Sequence, residues 1–301
     1  MKKITQRLLV FSLGVPFFIV ISYFLPYYNH LCLNLLVILF SSLGAVEFSV
    51  MLSKKNLNVS KTEAAILGAL PPLSMYLYIS FHNFPYNTLI IPGIIVSIVS
   101  WLFISMIFSR GKGTDDFIKR LAAGLAVLFY PGMLMMWIVR ISSSNPIISR
   151  IDSPEKSSLL LIVFICIVFL CDSAAWAAGM LFGKNNRGII PVSPNKSIAG
   201  FIGGFAGSAI VGLLAVVFFK DVFNPALNDL FTGAGLLSGA LLGLLTGILA
   251  ALGDLGESAI KRSVNIKDSG VIIPGRGGVL DSIDSLSLAA PGYFLLYSLL
   301  F

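Results

Sequence analysis

The residues with chemistry to offer crowd into one segment, Gly253–Asp284, reading GDLGESAIKRSVNIKDSGVIIPGRGGVLDSID. Asp254, Glu257 or Ser258, and Lys261 fall three to four residues apart, the spacing that lines one face of a helix. Asp281 and Asp284 are again three apart. Between them Pro274-Gly275-Arg276-Gly277-Gly278 cannot continue a helix, so the chain must turn and can fold the two helical stretches together. Converging carboxylates suit a hard divalent cation such as Mg²⁺, above all where a phosphate brings further oxygens. On that reading Asp254, Asp281 and Asp284 are the candidate metal ligands. The alternative is a solvated loop with neutralising charges, but such a loop needs neither three glycines beside a proline nor helix-phased carboxylates.

Two further carboxylates, Glu47 and Asp172, sit inside long apolar runs, where an ionisable group is costly and marks a functional site by default. Asp172 precedes the small residues Ser173-Ala174-Ala175, which let another helix come close, and is read as part of a site. Glu47 divides evenly between a site residue and a packing or lysine-paired carboxylate. A basic loop follows Asp172: Lys184, Arg187, then Ser193-Pro194-Asn195-Lys196-Ser197 ahead of Gly200, Gly203, Gly204 and Gly207. Ser193 and Pro194 read as a turn or helix start, where free N–H groups together with Lys196 would attract phosphate. Taken alone, most such loops only obey membrane orientation. Cys32, Cys166 and Cys171 lack paired spacing and read as small buried hydrophobes. His30 and His82 fall in short loops and are given no chemistry.

The elements that must position these groups are membrane helices. Of 301 residues 56% are apolar and 12% charged, with mean hydropathy +0.91. Soluble chains run nearer ~45–50% and ~25%. A soluble enzyme, a disordered chain and a disulfide scaffold are thereby excluded. Nine stretches approach the ~20 apolar residues that a span needs: 8–25, 31–52, 63–80, 87–108, 117–139, 158–180, 198–219, 232–252 and 285–301. The expected fold is all-α, a polytopic integral membrane protein of about nine transmembrane helices. The N-terminal run is read as a retained first helix and not a cleaved leader.

Placing the N-terminus in the cytoplasm puts 17 of the 21 basic residues on that side, leaving Arg140, Arg150, Lys156 and Lys220 outside. The net charge of +7 then belongs to orientation and anionic lipid, with no nucleic acid as partner. The chain divides into about five N-terminal spans, 1–140, and a catalytic part, 141–301, whose site loops 182–197 and 253–284 face the cytoplasm. Gly235, Gly239, Gly243 and Gly247 make a flat ridge for close helix contact, which would fix Asp254 just beyond it.

The pattern Ser258-x-x-Lys261-Arg262-x4-Lys267-Asp268-Ser269-Gly270-x3-Pro274-Gly275-x-Gly277-Gly278-x-x-Asp281-x-x-Asp284 resembles the signature of phosphatidate cytidylyltransferases, also called CDP-diglyceride synthases. Asp172 through Phe182-Gly183-Lys184 is similar to the family's stretch that opens with Asp and ends in F-G-K, and Ser193-Pro194-x-Lys196 resembles its S-P-K-K-T motif. The motifs cover about the C-terminal 40% of the chain; further upstream only hydropathy and Glu47-Phe48 agree. Three positions depart from the pattern: Arg276 stands where the family has His, Ser282 where it has Arg, and Ala199 where it has a carboxylate. Arg276 is a candidate replacement for the arginine missing at 282.

The resemblance implies the reaction CTP + phosphatidate → CDP-diacylglycerol + diphosphate, a step of phospholipid biosynthesis. The attacking group is the lipid's own phosphate, so no protein nucleophile is required, and catalysis is positioning and charge neutralisation. Asp254, Lys261, Asp281 and Asp284 are implied as catalytic, the three aspartates holding Mg²⁺ and room for a second cation. Lys261 and Lys267, with Ser193 and Lys196, would contact phosphates. Ser258, Arg262, Asp268 and Arg276 join the substrate-binding set; Asp172 would shape the pocket, and Gly275, Gly277 and Gly278 would let backbone approach the nucleotide. The implied partners are CTP, phosphatidate and membrane lipid. Family members commonly dimerise, so the glycine ridge could serve a homodimer or pack within one subunit. The implied location is a bacterial cytoplasmic (inner) membrane with the site facing the cytoplasm. Two rival readings are a catalytically weakened relative acting as a membrane scaffold and a polytopic transporter, which would need charged or broken-helix residues near mid-membrane in several spans.

Overall fold

A computed structural model describes residues 14, 16–107, 117–143, 151, 153–223 and 232–301. The helices are α1 (16–24), α2 (Tyr27–Ser53), α3 (Lys61–Ser80), α4 (Ile90–Ile107), α5 (Phe117–Val127), α6 (Leu134–Ile141), α7 (Pro154–Phe182), α8 (Ile198–Phe218), α9 (Thr232–Ser263) and α10 (Leu280–Leu300). Among the described residues there are no strands beyond two isolated bridges. Among the described residues seven helical stretches are long and apolar enough to cross a membrane, so the chain is an all-α polytopic membrane protein. The expected first span, 8–25, lies partly outside the described residues, as do Lys2, Lys3, Arg7, Arg110, Lys112 and Arg150.

Two expected elements differ in detail. The stretch 63–80 does form a helix, α3, but its composition keeps it out of the seven. Its Pro72 removes the N–H that would bond Gly68, and Ser41 Oγ of α2 donates to that carbonyl instead, at 2.7 Å. The stretch 117–139 is interrupted: a wide turn at Leu128–Met133, containing Pro131, separates α5 from α6. The last helix starts at Leu280, five residues before the apolar run from 285, and so opens with Asp281 and Asp284 as their spacing predicts.

Small residues bring the C-terminal helices together. On α8, a Cβ at Gly203, Gly204 or Gly207 would strike Ala178, Ala175 or Ala174 of α7. On α9, Gly239 and Gly243 press on Gly212 and Ser208 of α8, and Gly247 on Ser208. The ridge therefore packs within one subunit. Large apolar side chains fill the centre, among them Leu33 of α2, Phe164 of α7 and Tyr293 of α10, whose hydroxyl donates to Leu160 O at 2.9 Å. The Ser197 side chain accepts from Gly200 N–H at 3.1 Å and caps α8. No cap of this kind is supplied by the residues preceding α10.

Candidate active site

Helix α9 continues well past its apolar run, carrying Asp254, Glu257, Ser258 and Lys261 on one face, as their spacing predicts. After α9 the chain turns through 264–279 and enters α10 with Asp281 and Asp284 in its first turn and a half. At Gly253 a Cβ would meet Asp284 O and Ser285, so the two helices touch just where the carboxylates leave them.

Lys261 joins the two helices. Its Nζ lies 2.7 Å from Glu257 Oε2 and 2.5 Å from Asp281 Oδ1, with the Glu257 side chain wholly buried. The other oxygen of Asp281 accepts from Ser269 N–H at 2.8 Å and Gly278 N–H at 2.7 Å, with Ser269 Oγ 3.0 Å away. Gly277, at φ +115°, occupies the left-handed region that favours glycine, and a Cβ there would collide with Asp281. At Gly278 a Cβ would run into Ser269 and Glu47. The glycines thus let the loop backbone close around two carboxylates.

Glu47 is the second carboxylate. It reaches from α2 and accepts from Val279 N–H at 3.0 Å, Leu280 N–H at 2.9 Å and Ser269 Oγ at 2.8 Å. It therefore caps α10 from a helix more than two hundred residues upstream, where exposed N–H groups favour negative charge. This is neither a lysine pair nor simple packing. The position was legible as a carboxylate in an apolar span; its partner was not.

Asp284, buried, has Asp254, Glu257 and Asp172 as charged neighbours. Asp254 Oδ2 pairs with Lys196 Nζ at 2.7 Å, and Ser258 Oγ stands 3.5 Å from its other oxygen. Asp172 neighbours Asp254, Arg276 and Lys196. Among the described residues, five carboxyl groups, Asp172, Asp254, Glu257, Asp281 and Asp284, gather with three cations, Lys196, Lys261 and Arg276. Glu257 Oε1 is buried without a hydrogen-bond partner. So is the Tyr130 hydroxyl, which approaches the same carboxylates from the turn between α5 and α6. Tyr130 left no sign in the sequence.

The neighbouring carboxyl groups of Asp254, Glu257 and Asp284 offer the hard oxygen ligands that suit a divalent cation. The expected trio divides, because Asp281 is turned to Lys261 and the loop N–H groups. Among the described residues no three His, Cys, Asp or Glu are gathered closely enough to hold an ion alone, so phosphate oxygens would have to complete its shell.

Beside this cluster a groove of about 590 Å³ runs between α7, α8 and α9, lined by Asp172, Trp176, Asn195, Lys196, Phe201 and Asp254 among others. Lys196 Nζ also lies 5.6 Å from the centre of the Phe201 ring. Ser193 closes a turn on Ile190, one turn before Lys196. Asp268 is exposed beside Gly277, and Lys267 is exposed. Arg262, also exposed, donates to Ile266 O at 2.9 Å and so braces the loop away from the carboxylates. Gly275, at φ +78°, turns the chain ahead of Arg276.

The profile of the Cytidylyltransferase family matches residues 5–300. A phosphatidate cytidylyltransferase from Synechocystis sp. is 32% identical over 192 residues, 58% of this chain and 61% of that protein. One from Haemophilus influenzae is 41% identical over 140 residues, 46% of this chain and 45% of that protein. One from Bacillus subtilis is 30% identical over 224 residues, 68% of this chain and 78% of that protein. The chain thus spans less than two thirds of the length of the first two relatives and more of the third.

Proposed function

Because the chain belongs to the Cytidylyltransferase family, we propose that it joins CTP to phosphatidate, yielding CDP-diacylglycerol and diphosphate. The observation that carries this reading is the gathering of Asp172, Asp254, Glu257 and Asp284 beside a groove with Lys196 on its wall. A phosphate oxygen of the lipid attacks the α-phosphorus of CTP; the bond from that phosphorus to the bridging oxygen breaks, and diphosphate leaves. Mg²⁺ held by Asp254, Glu257 and Asp284 would neutralise the triphosphate and the leaving diphosphate.

The chain's own residues supply position. Lys196 sits where it can exchange Asp254 for a nucleotide phosphate, and Lys261 is a fixed positive charge clamped between Glu257 and Asp281. Asp281 and Glu47 lock the loop 269–280 against α2 and α10. Trp176 and Phe201 offer aromatic faces to a base in the groove. The positive-inside count supports an orientation with this face in the cytoplasm, where CTP is, and the bacterial relatives support a bacterial inner membrane as its place.

Membranes carrying the chain, given labelled CTP and phosphatidate, are expected to form labelled CDP-diacylglycerol only when both substrates and Mg²⁺ are present. An intact, inserted protein that forms none would favour the inert scaffold.

A further inference from the structure

A cavity of about 280 Å³ opens between α1, α2, α6, α7 and α10, apart from the groove described above. Phe18, Val37, Phe40, Ile138 and Phe164 typify its walls, and among its described lining residues only Arg276 and Ser282 carry polar side chains. The cavity and the groove follow one face of α7: Leu161, Ile165 and Phe169 line the first, and Asp172, Trp176 and Gly179 line the second, at helical spacing. The apolar stretch from 161 to 169 spans about 12 Å at the usual helical rise. Asp172 marks the junction and has both Arg276 and Lys196 as charged neighbours. The Arg276 guanidinium lies 5.8 Å from the centre of the Phe169 ring, so it stands at the end of the cavity nearest the carboxylates.

An apolar slot with one cation at its rim has the chemistry of an anionic lipid: hydrocarbon for the walls, phosphate for the guanidinium. We propose that this cavity takes an acyl chain of phosphatidate and that Arg276 holds the lipid phosphate. Lipid and nucleotide then meet at Asp172, from the two successive stretches of the same α7 face. The inference rests on the reading of the chain as a phosphatidate cytidylyltransferase and adds to it where the lipid sits. Ser282 lines the same cavity, so a guanidinium introduced there can reach the space that Arg276 serves.

The test has two arms on the purified full chain. In the first, phosphatidate bearing a diazirine within an acyl chain is photo-crosslinked in mixed micelles, with the matching phosphatidylcholine as comparison. Adducts on Val37, Phe40 or Phe164 with phosphatidate, and few with phosphatidylcholine, are expected. Adducts confined to outward residues such as Trp101 or Leu237, or equal labelling by both lipids, would overturn the proposal. In the second, Arg276→Ser is expected to raise KM for phosphatidate about ten- to a hundredfold, the loss of one charge-assisted contact, while KM for CTP stays within about twofold. Arg276→Ser combined with Ser282→Arg is expected to recover much of the loss. A rise confined to CTP, or no change at all, would contradict the assignment. Should the chain form no CDP-diacylglycerol, the function reading fails, and the crosslinking arm still decides whether the cavity takes the lipid.

Discussion

Lys261 stands between two carboxylates with a side chain only 10% exposed, and the pairs it makes are Glu257 and Asp281. Replacing it with methionine strands both charges in the interior, which costs about 3–5 kcal/mol when a buried pair loses one partner. Lys261→Met should therefore lower the unfolding midpoint in detergent and abolish turnover. Lys261→Met with Asp281→Asn should regain part of the stability but none of the turnover, separating the structural share of the lysine from the catalytic one. Glu47 acts differently, as a cap. Glu47→Ala leaves Val279 N–H and Leu280 N–H without their acceptor, at about 1–3 kcal/mol each. Faster hydrogen exchange at 278–281 is the expected signature, with exchange in α3 unchanged. Glu47 shows the limit of the sequence at this scale: its cost was visible, but a hydrogen bond spanning more than two hundred residues has no local pattern.

Helix α9 holds its face toward α10 because its other side lies flush on α8, through Gly239, Gly243 and Gly247 against Gly212 and Ser208. A methyl group at Gly243 has nowhere to go but into Ser208 and Ala209 backbone. Gly243→Ala should cost about 1–3 kcal/mol by overpacking and shift Asp254 against Asp284, read as a lower unfolding midpoint and a lower kcat. The helices themselves were largely legible, since apolar runs of this length have few other solutions in lipid. So was the continuation of α9 through Lys261, because Asp254, Glu257 and Lys261 keep helical phase beyond the apolar stretch. What escaped was set by neighbours. The break at Pro131 sits in a run that hydropathy alone reads as continuous, and the cap that Glu47 of α2 sets on α10 has no local signal. The division of the aspartates escaped for a like reason: spacing brings Asp281 and Asp284 to one turn of helix, but the reach of Lys261 decides which oxygen is free.

The whole molecule joins an all-α membrane body to a charged site gathered where α9 meets α10. Charge distribution along the chain supports one direction of insertion. A cysteine placed at the exposed Val271, in a chain with Cys32 replaced by Ser, should react with an impermeant thiol reagent in inverted vesicles but not in intact cells. Labelling from outside would reverse the orientation and put the site out of reach of CTP. The most direct measurement is the rate at which purified chain converts labelled CTP and phosphatidate to CDP-diacylglycerol, for the unaltered protein and for Asp284→Asn across a Mg²⁺ titration. Mg²⁺-dependent product is expected from the first and, from a variant still folded and inserted, a rate lower by at least about a hundredfold. Equal rates from both proteins would contradict the role given to Asp284.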